Sequence, residues 1–433
     1  MKIPEFGGGI YPPHYKELTH SLPIKEAGLP QRVVLPLSQH AGAPAIAVVR
    51  KGDYVRTGQV IGEPQGRISA YLHSSVSGRV VDIVPRPHPV INRPVLSVII
   101  ESDGKDAREE QVKTHWDYFR YSPGDIRKVI ETAGVVGMGG AAFPTHVKLA
   151  PPSEIDTLIL NGCECEPYIT SDDRLMQEYS KEIVEGMKLF MFILNVHKGL
   201  IVIEDNKEEA IDIINKIVFN EPNISVVRVK THYPQGSEKQ LIKAVLNRTV
   251  PSGKLPFHVG VVVQNVATSY AVHQAVVRAN PLISRVVSVT ASESIRRRLH
   301  RPGNYLVRIG MTLSDLLAQC EYESQPDDRV VCGGPMMGVS QYTLSVPVIK
   351  GTSGVVLLEG IPYYEHYPCI KCGRCVSVCP MGLMPNMLSV YAEAELWQKA
   401  KEFYPQDCTE CGCCSYVCPA KRPIVQHIKL AKE

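Results

Sequence analysis

Apolar positions follow two rhythms along this chain. Over the first hundred residues, short apolar runs at 33–35, 45–49, 80–84 and 95–100 are punctuated by Gly and Pro, which predicts β structure ending near Asp103. From about Pro123 helical and strand patterns alternate: helix 125–133, strand 157–160, an amphipathic stretch 173–196, strand 199–203, helix 207–218, strand 225–229, helix 237–246, strand 259–263 and helix 267–279. Such alternation is the signature of an α/β domain with a largely parallel sheet. Polar residues gather where these strands end, at Asn161, at Glu204 with Asp205 and at Asn265, and ligands bind at that edge of an open α/β sheet. Between 286 and about 348, short strands with one helix at 312–320 predict a small α+β module, and a polar aromatic linker at 363–368 leads into a segment organised around cysteine.

Composition narrows the function. With 433 residues and 44% apolar positions, the chain suits roughly two to four globular domains. Forty-seven Lys and Arg against 44 Asp and Glu leave a formal charge of +3, too small a field to make nucleic acid a partner. No apolar stretch approaches the ~18–20 residues of a membrane span, and residues 1–10 lack the regions of a signal peptide, so a soluble intracellular protein with no direct membrane span is expected.

Nine of the 13 cysteines lie between Cys369 and Cys418, which argues for a metal site rather than scattered disulfides. Cys369, Cys372, Cys375 and Cys379-Pro380 follow CxxCxxCxxxCP, and Cys408, Cys411, Cys414 and Cys418-Pro419 repeat it. Three thiolates from one tight loop hold three corners of a cubane while the fourth cysteine of each run ligates the other cluster. Two [4Fe–4S] clusters follow, one on Cys369, Cys372, Cys375 and Cys418, the other on Cys408, Cys411, Cys414 and Cys379. Structural zinc also uses CxxC pairs, but zinc needs neither the third close cysteine nor the CxxxCP ending. Ile370, Val378, Val417 and Ile424 are expected to cover the clusters, and Cys413 to be a spectator. Such clusters pass single electrons and have no chemistry for hydride, so a two-electron donor demands a flavin.

Two loops could supply that site. Gly137-x-Gly139-x-x-Ala142 formally fits a dinucleotide fingerprint, but a helix rather than a strand precedes it. Its glycines, with Gly140, still permit close backbone approach to a ring or phosphate, which Lys148 could neutralise. Asn161-Gly-Cys-Glu-Cys-Glu-Pro sits just past a strand and puts Glu164 and Glu166 on one short loop. Next to a flavin and nicotinamide, these carboxylates could hydrogen-bond ribose hydroxyls and the carboxamide.

The stretch 49–62 followed by 73–80 resembles the barrel-sandwich hybrid fold of biotinyl and lipoyl carriers, without the carrier lysine in the turn 73–75. Residues 137–145, 161–167, 236–239 and 265–268 resemble, in order, the FMN and NADH motifs of the complex I flavoprotein subunit. With Gly8-Gly-Ile-Tyr-Pro-Pro, Pro36-Leu-Ser-Gln-His, Tyr233-Pro-Gln-Gly and the tandem cysteine cassettes, the whole chain resembles the C subunits of the Rnf complex, an ion-translocating ferredoxin:NAD oxidoreductase. The resemblance implies a multidomain α/β and α+β chain: a barrel-sandwich hybrid-like β domain at 1–105, a Rossmann-like FMN/NADH α/β domain at 106–284, a β-grasp (SLBB) module at 285–350 and a 2[4Fe–4S] ferredoxin-like domain at 351–433. It also implies that Gly137, Gly139, Lys148, Asn161, Cys163, Glu164, Gly236, Glu238, Asn265 and Thr268 surround FMN, while Gly140, Phe143 and Glu166 face NAD(H). The implied partners are membrane-embedded and ferredoxin-facing subunits, and the implied location is peripheral, on the cytoplasmic side of the cell membrane. A soluble cobalamin-reducing flavin and iron–sulfur enzyme of diol utilisation shares this layout, and a non-catalytic electron-wiring subunit is a third reading.

Overall fold

The computed structural model describes residues 3–109, 120–360 and 365–433; residues 363 and 364 of the expected linker, and the first two residues of the N-terminal stretch, lie outside these. The N-terminal β domain is built from two antiparallel sheets. Arg32–Pro36, Val95–Ser102, Gly78–Arg86 and Tyr54–Val55 form one in that order, and Ile46–Ala47, Val60–Glu63 and Leu72–His73 form the other. Val33, Leu35, Val55, Ile61, Leu72, Val80, Val98 and Ile100 are buried in the shared core. The apolar run at 45–49 yields only two strand residues, because Ile46 and Val48 face solvent. The turn that would bear a carrier lysine is buried, with Ser75 Oγ donating to Ile309 O at 2.5 Å. No arm can swing from it.

In the α/β domain four parallel strands lie in the order Ile224–Val229, Gly199–Glu204, Thr157–Gly162, Val261–Asn265. Period-two alternation buries both faces. Leu158, Leu160, Ile201 and Ile203 meet helices Ser180–Leu194 and Val266–Arg278, while Ile159, Leu200, Val202 and Val263 meet Leu241 and Ile242 of helix Glu238–Leu246. The amphipathic stretch at 173–196 is two helices, Ser171–Glu178 and Ser180–Leu194, broken where Tyr179 leaves helical geometry at φ −126°, ψ 33°. From Thr157–Gly162 the chain adds two strands on one side and then returns to the other with Val261–Asn265. This reversal opens a crevice at the carboxyl edge. Asn161 and Asn265 are register partners across it.

The third module is a six-stranded mixed sheet in the order Ile24–Glu26, Gly303–Arg308, Ser284–Ala291, Gly354–Leu358, Arg329–Cys332, Val339–Gln341. Two expected boundaries are thereby corrected. Ile24–Glu26 leaves the 1–105 unit to pair in parallel with Asn304, Tyr305 and Leu306, and Gly354–Leu358 belongs to this sheet rather than to the cysteine-rich unit, because its pairing buries Val355, Val356 and Leu357. Cys320 and Cys332 pack as small apolar residues in this core.

Beyond it, helices Arg374–Ser377, Pro385–Glu393, Trp397–Lys401, Cys413–Tyr416 and Ile424–Lys432 surround a small core of Cys375, Leu388, Cys414, Ile424 and Ile428. The sequence repeat is also a backbone repeat. Lys371, Gly373 and Gly382 take left-handed φ values of 56°, 77° and 66°, and the equivalent Glu410, Gly412 and Lys421 take 58°, 83° and 50°. Among the described residues no helix is long and apolar enough to cross a membrane.

Candidate functional site

The crevice gathers most of the residues expected there. Asn265 caps helix Val266–Arg278, its Oδ1 accepting from the amides of Ala267 and Thr268, as asparagine does at an N-cap. Its Nδ2 donates to Asp172 at 2.6 Å. Across the crevice, Asn161 Nδ2 donates to Gly236 O at 2.8 Å and its Oδ1 accepts from Cys163 N at 3.0 Å, tying two strand-end loops together. A side chain at Gly236 would lie 2.5 Å from Cys163 O, so only glycine allows this approach.

The glycine loop closes over this edge. Gly137 N donates to Phe143 O at 2.8 Å, and Met138 N donates to the buried Thr268 hydroxyl at 2.9 Å. Gly139 lies against Asn265, a Cβ there meeting Asn265 Cβ at 3.4 Å, while Gly140 has φ +108° and open space where a side chain would point. Gly139 and Gly140 are exposed. The short helix Thr145–Lys148 then brings Lys148 into an ion pair with Glu238, the first residue of helix Glu238–Leu246. The site is thus an exposed peptide loop above two amides, with one cation and one carboxylate at its side. Such a cradle suits a flat ring system carrying an anionic tail.

Three of the expected residues spend their side chains on the protein instead. Cys163 is buried with Sγ directed at Val202 O, and burial holds its thiol well above the usual range. Glu164 caps helix Ser171–Glu178, accepting from Ser171 Oγ at 3.0 Å and from the amides of Asp172 and Asp173 at 2.8 and 3.2 Å. Glu166 accepts from Met336 N at 3.0 Å and Met337 N at 2.9 Å, in the loop after Arg329–Cys332; burial pushes its carboxyl up to about 7 against the pull of those amides. Phe143 is half-buried, its carbonyl bonding the loop.

Sequence reasoning missed Asp172, Lys16, Lys207 and Arg285. Asp172 is pushed up to about 7 by burial and by Glu164, offset by Asn265. Lys207 pairs with Glu204 at 2.7 Å, both fully buried at the strand edge. Burial pulls its ammonium down, but Glu204 and Glu164 outweigh that and leave it raised. Arg285, brought down to about 10 by burial, adds a second buried cation. Asp172 had a signal, standing at the start of an amphipathic stretch that follows a strand-end loop; Lys16 and Arg285 come from other modules and had none.

The cysteine loops line two small cavities. One is bounded by Cys369, Cys372, Cys375 and Cys418, with Asn386 and Ile424; the other by Cys379, Cys408, Cys411, Cys413 and Cys414, with Leu383 and Ile428. The first cavity groups the crossed set expected from the spacing and the second groups the other set together with Cys413; four thiolates around one such pocket are what a cubane takes. Ile370 lines the first cavity, as expected of a covering residue, but remains 66% exposed, so its cover is one-sided. The second cavity adjoins the α/β domain: Tyr233 OH donates to Cys411 O at 2.7 Å, and Ile10, Tyr233, Cys411 and Cys413 share one apolar cluster with Cys165 and Met336. Cys413 thus packs in this junction while also lining the second cavity. The first cavity faces outward, with Cys372 exposed.

Thr268→Val keeps the shape of the loop anchor but leaves the Met138 amide unpaired, at a cost of about 1–3 kcal/mol. Flavin retained through gel filtration should fall while iron content stays at the wild-type level.

Family models match in chain order: RnfC barrel sandwich hybrid domain at residues 4–105, Nuo51 FMN-binding domain at 130–274, SLBB domain at 298–340 and 4Fe-4S dicluster domain at 368–421. The C subunit of the proton-translocating ferredoxin:NAD(+) oxidoreductase complex of Clostridium ljungdahlii is 45% identical over 99% of this chain and 94% of its own. Its counterpart in the Na(+)-translocating complex of Acetobacterium woodii is 43% identical over 100% of this chain and 97% of its own. A chain of an NAD+-reducing [NiFe]-hydrogenase in the H2-reduced state aligns with a TM-score of 0.49 at 19% identity, over 72% of this chain and 63% of that one. With its four domains in order and relatives matching end to end, the chain belongs to the C subunits of the ion-translocating ferredoxin:NAD oxidoreductase (Rnf) complexes.

Proposed function

We propose that this chain is the NADH-handling electron-transfer subunit of such a complex, working at its membrane as a peripheral subunit on the cytoplasmic side. The observation that carries the reading is the joining of two sites by one residue: Tyr233 stands three residues before Gly236 of the crevice and bonds the carbonyl of Cys411. FMN, when bound, exchanges hydride with NAD(H) and single electrons with the [4Fe–4S] clusters.

Everything else is positioning by the chain. Gly139 and Gly140 would offer exposed peptide to the ring, Asn161 and Asn265 fix the walls, and Lys148 with Glu238 would hold the phosphate and hydroxyls. Gly137 and Gly236 allow the close turns, and Thr268 anchors the loop. Cys163 and Glu164 hold the floor from beneath. Gly140 and Phe143 border the open side, where nicotinamide would enter, and Glu166 braces it.

Cys379, Cys408, Cys411 and Cys414 are assigned the cluster next to the flavin domain, and Cys369, Cys372, Cys375 and Cys418 the outer one. Around the outer set Tyr367 and Ile370 are exposed at 62% and 66%, beside Lys371 and Arg374. An apolar tip with a basic rim suits docking of an acidic one-electron partner subunit. Anaerobically purified protein should contain FMN and two clusters, and NADH should bleach its visible spectrum. Full iron with no flavin would leave only the electron-wiring reading.

A further inference from the structure

The N-terminal segment crosses the flavin domain before it enters the β domain, and one of its side chains ends inside the nucleotide loop. Lys16 Nζ donates to the carbonyls of Glu164 at 2.9 Å, of Glu166 at 3.0 Å and of Ile169. Around it the turn is clasped to the same loop. Tyr168 N donates to His14 O at 2.8 Å, Tyr15 stacks on Tyr168 with ring centroids 4.9 Å apart, and Thr19 Oγ1 lies 2.7 Å from Thr170 Oγ1. Asn304 of the third module completes the clasp, donating to Thr19 O at 3.0 Å and accepting from Thr170 Oγ1 at 3.0 Å.

We propose that Lys16 is a positioning residue for NADH and flavin binding: its ammonium replaces a bound cation at the centre of the loop 164–169 and holds Glu164 and Glu166 in their working directions. Three carbonyl dipoles converging on one point repel each other unless a positive charge sits there. Lys16 supplies that charge and three charge-assisted hydrogen bonds. It also offsets the buried carboxylates nearby: burial lowers its pKa, while Glu164 acts in the opposite direction. With the carbonyls held inward, Glu164 caps helix Ser171–Glu178 and Glu166 braces Met336 and Met337. Without it, the peptide planes at 164–169 are free to turn.

The inference rests on the NADH reading, so its test includes a measurement that needs no NADH. Lys16→Met is close in size and uncharged. It should raise the KM for NADH about tenfold, equal to losing about 1.4 kcal/mol, with kcat less affected. It should also release FMN faster, and amide hydrogen exchange at 164–170 should quicken in the protein without NADH, iron being unchanged. Lys16→Arg keeps the charge but exchanges a compact ammonium for a planar fork; it should raise KM with iron retained, which covers a Met variant that does not fold. Thr19→Val loosens the clasp without touching the ammonium and should leave KM near wild type. Wild-type KM, flavin retention and exchange in the Met and Arg variants would overturn the proposal, as would an equal KM rise in Thr19→Val. A wild-type protein that NADH does not bleach would sink the NADH reading, with the exchange result still standing.

Discussion

Cys379→Ala should remove the second cluster although it lies in the first cassette, cutting the iron content by about half. The cavity that holds Cys379 contains Cys408, Cys411 and Cys414. It is also the one beside the flavin domain, where Gln240 Nε2 donates to Pro380 O at 3.2 Å and Gly9 N donates to Val378 O at 2.8 Å. Cys418→Ala should remove the other cluster, the one bordered by exposed Cys372. The two variants therefore separate inlet from outlet. In Cys379→Ala, NADH should bleach the flavin band and leave the remaining iron–sulfur absorbance unchanged. In Cys418→Ala, NADH should bleach both the flavin and the remaining cluster, while transfer to an external one-electron acceptor falls by orders of magnitude. If Cys379→Ala instead spares the cluster held by Cys408, Cys411 and Cys414, the ligands do not cross.

The contrast between these two regions explains what was legible in the chain. Cluster ligands are set by covalent spacing, so CxxCxxCxxxCP points to two candidate sets before any fold is considered, and the backbone repeats the pattern down to paired left-handed residues. The strands of the α/β domain were legible because they are buried on both faces and read as short apolar runs bounded by polar ends. The crevice followed from strand order, with Asn161 and Asn265 meeting across the switch point. Contacts between modules were not legible. Lys16 meets a loop about 150 residues away, and Ile24–Glu26 and Gly354–Leu358 join a sheet whose other strands lie at 284–341. Such pairing depends on tertiary packing, which no local period encodes. The direction of a carboxylate is equally hidden: Glu164 and Glu166 share one short loop, yet one turns to a helix start and the other to a hairpin of the third module.

Glu166→Gln should change its effect on stability with pH. In the folded chain burial raises the Glu166 carboxyl to about 7, above the ~4.3 of an unfolded glutamate. Between those values the folded state binds more protons than the unfolded state. The stabilising contribution of the neutral carboxyl is therefore complete below pH ~4.3 and lost as pH rises towards 7. Glutamine stays neutral throughout. Compared at one scan rate, the thermal midpoint of Glu166→Gln relative to wild type should rise from pH 5 to pH 7.5 and level off above it. A difference independent of pH would place the titration elsewhere. Glu166→Ala is the severe case, because it strands the amides of Met336 and Met337 at about 1–3 kcal/mol each. It also empties the space that Gly334 packs against, where an added Cβ would lie 2.1 Å from Glu166 Oε2. Met336 in turn touches the second cluster loop, a Cβ at Gly412 meeting Met336 O at 3.1 Å. Loosening this contact should slow the flavin-to-cluster step as well as NADH oxidation, with iron and flavin retained. Loss of NADH oxidation with an unchanged flavin-to-cluster rate would assign Glu166 to nucleotide contact alone.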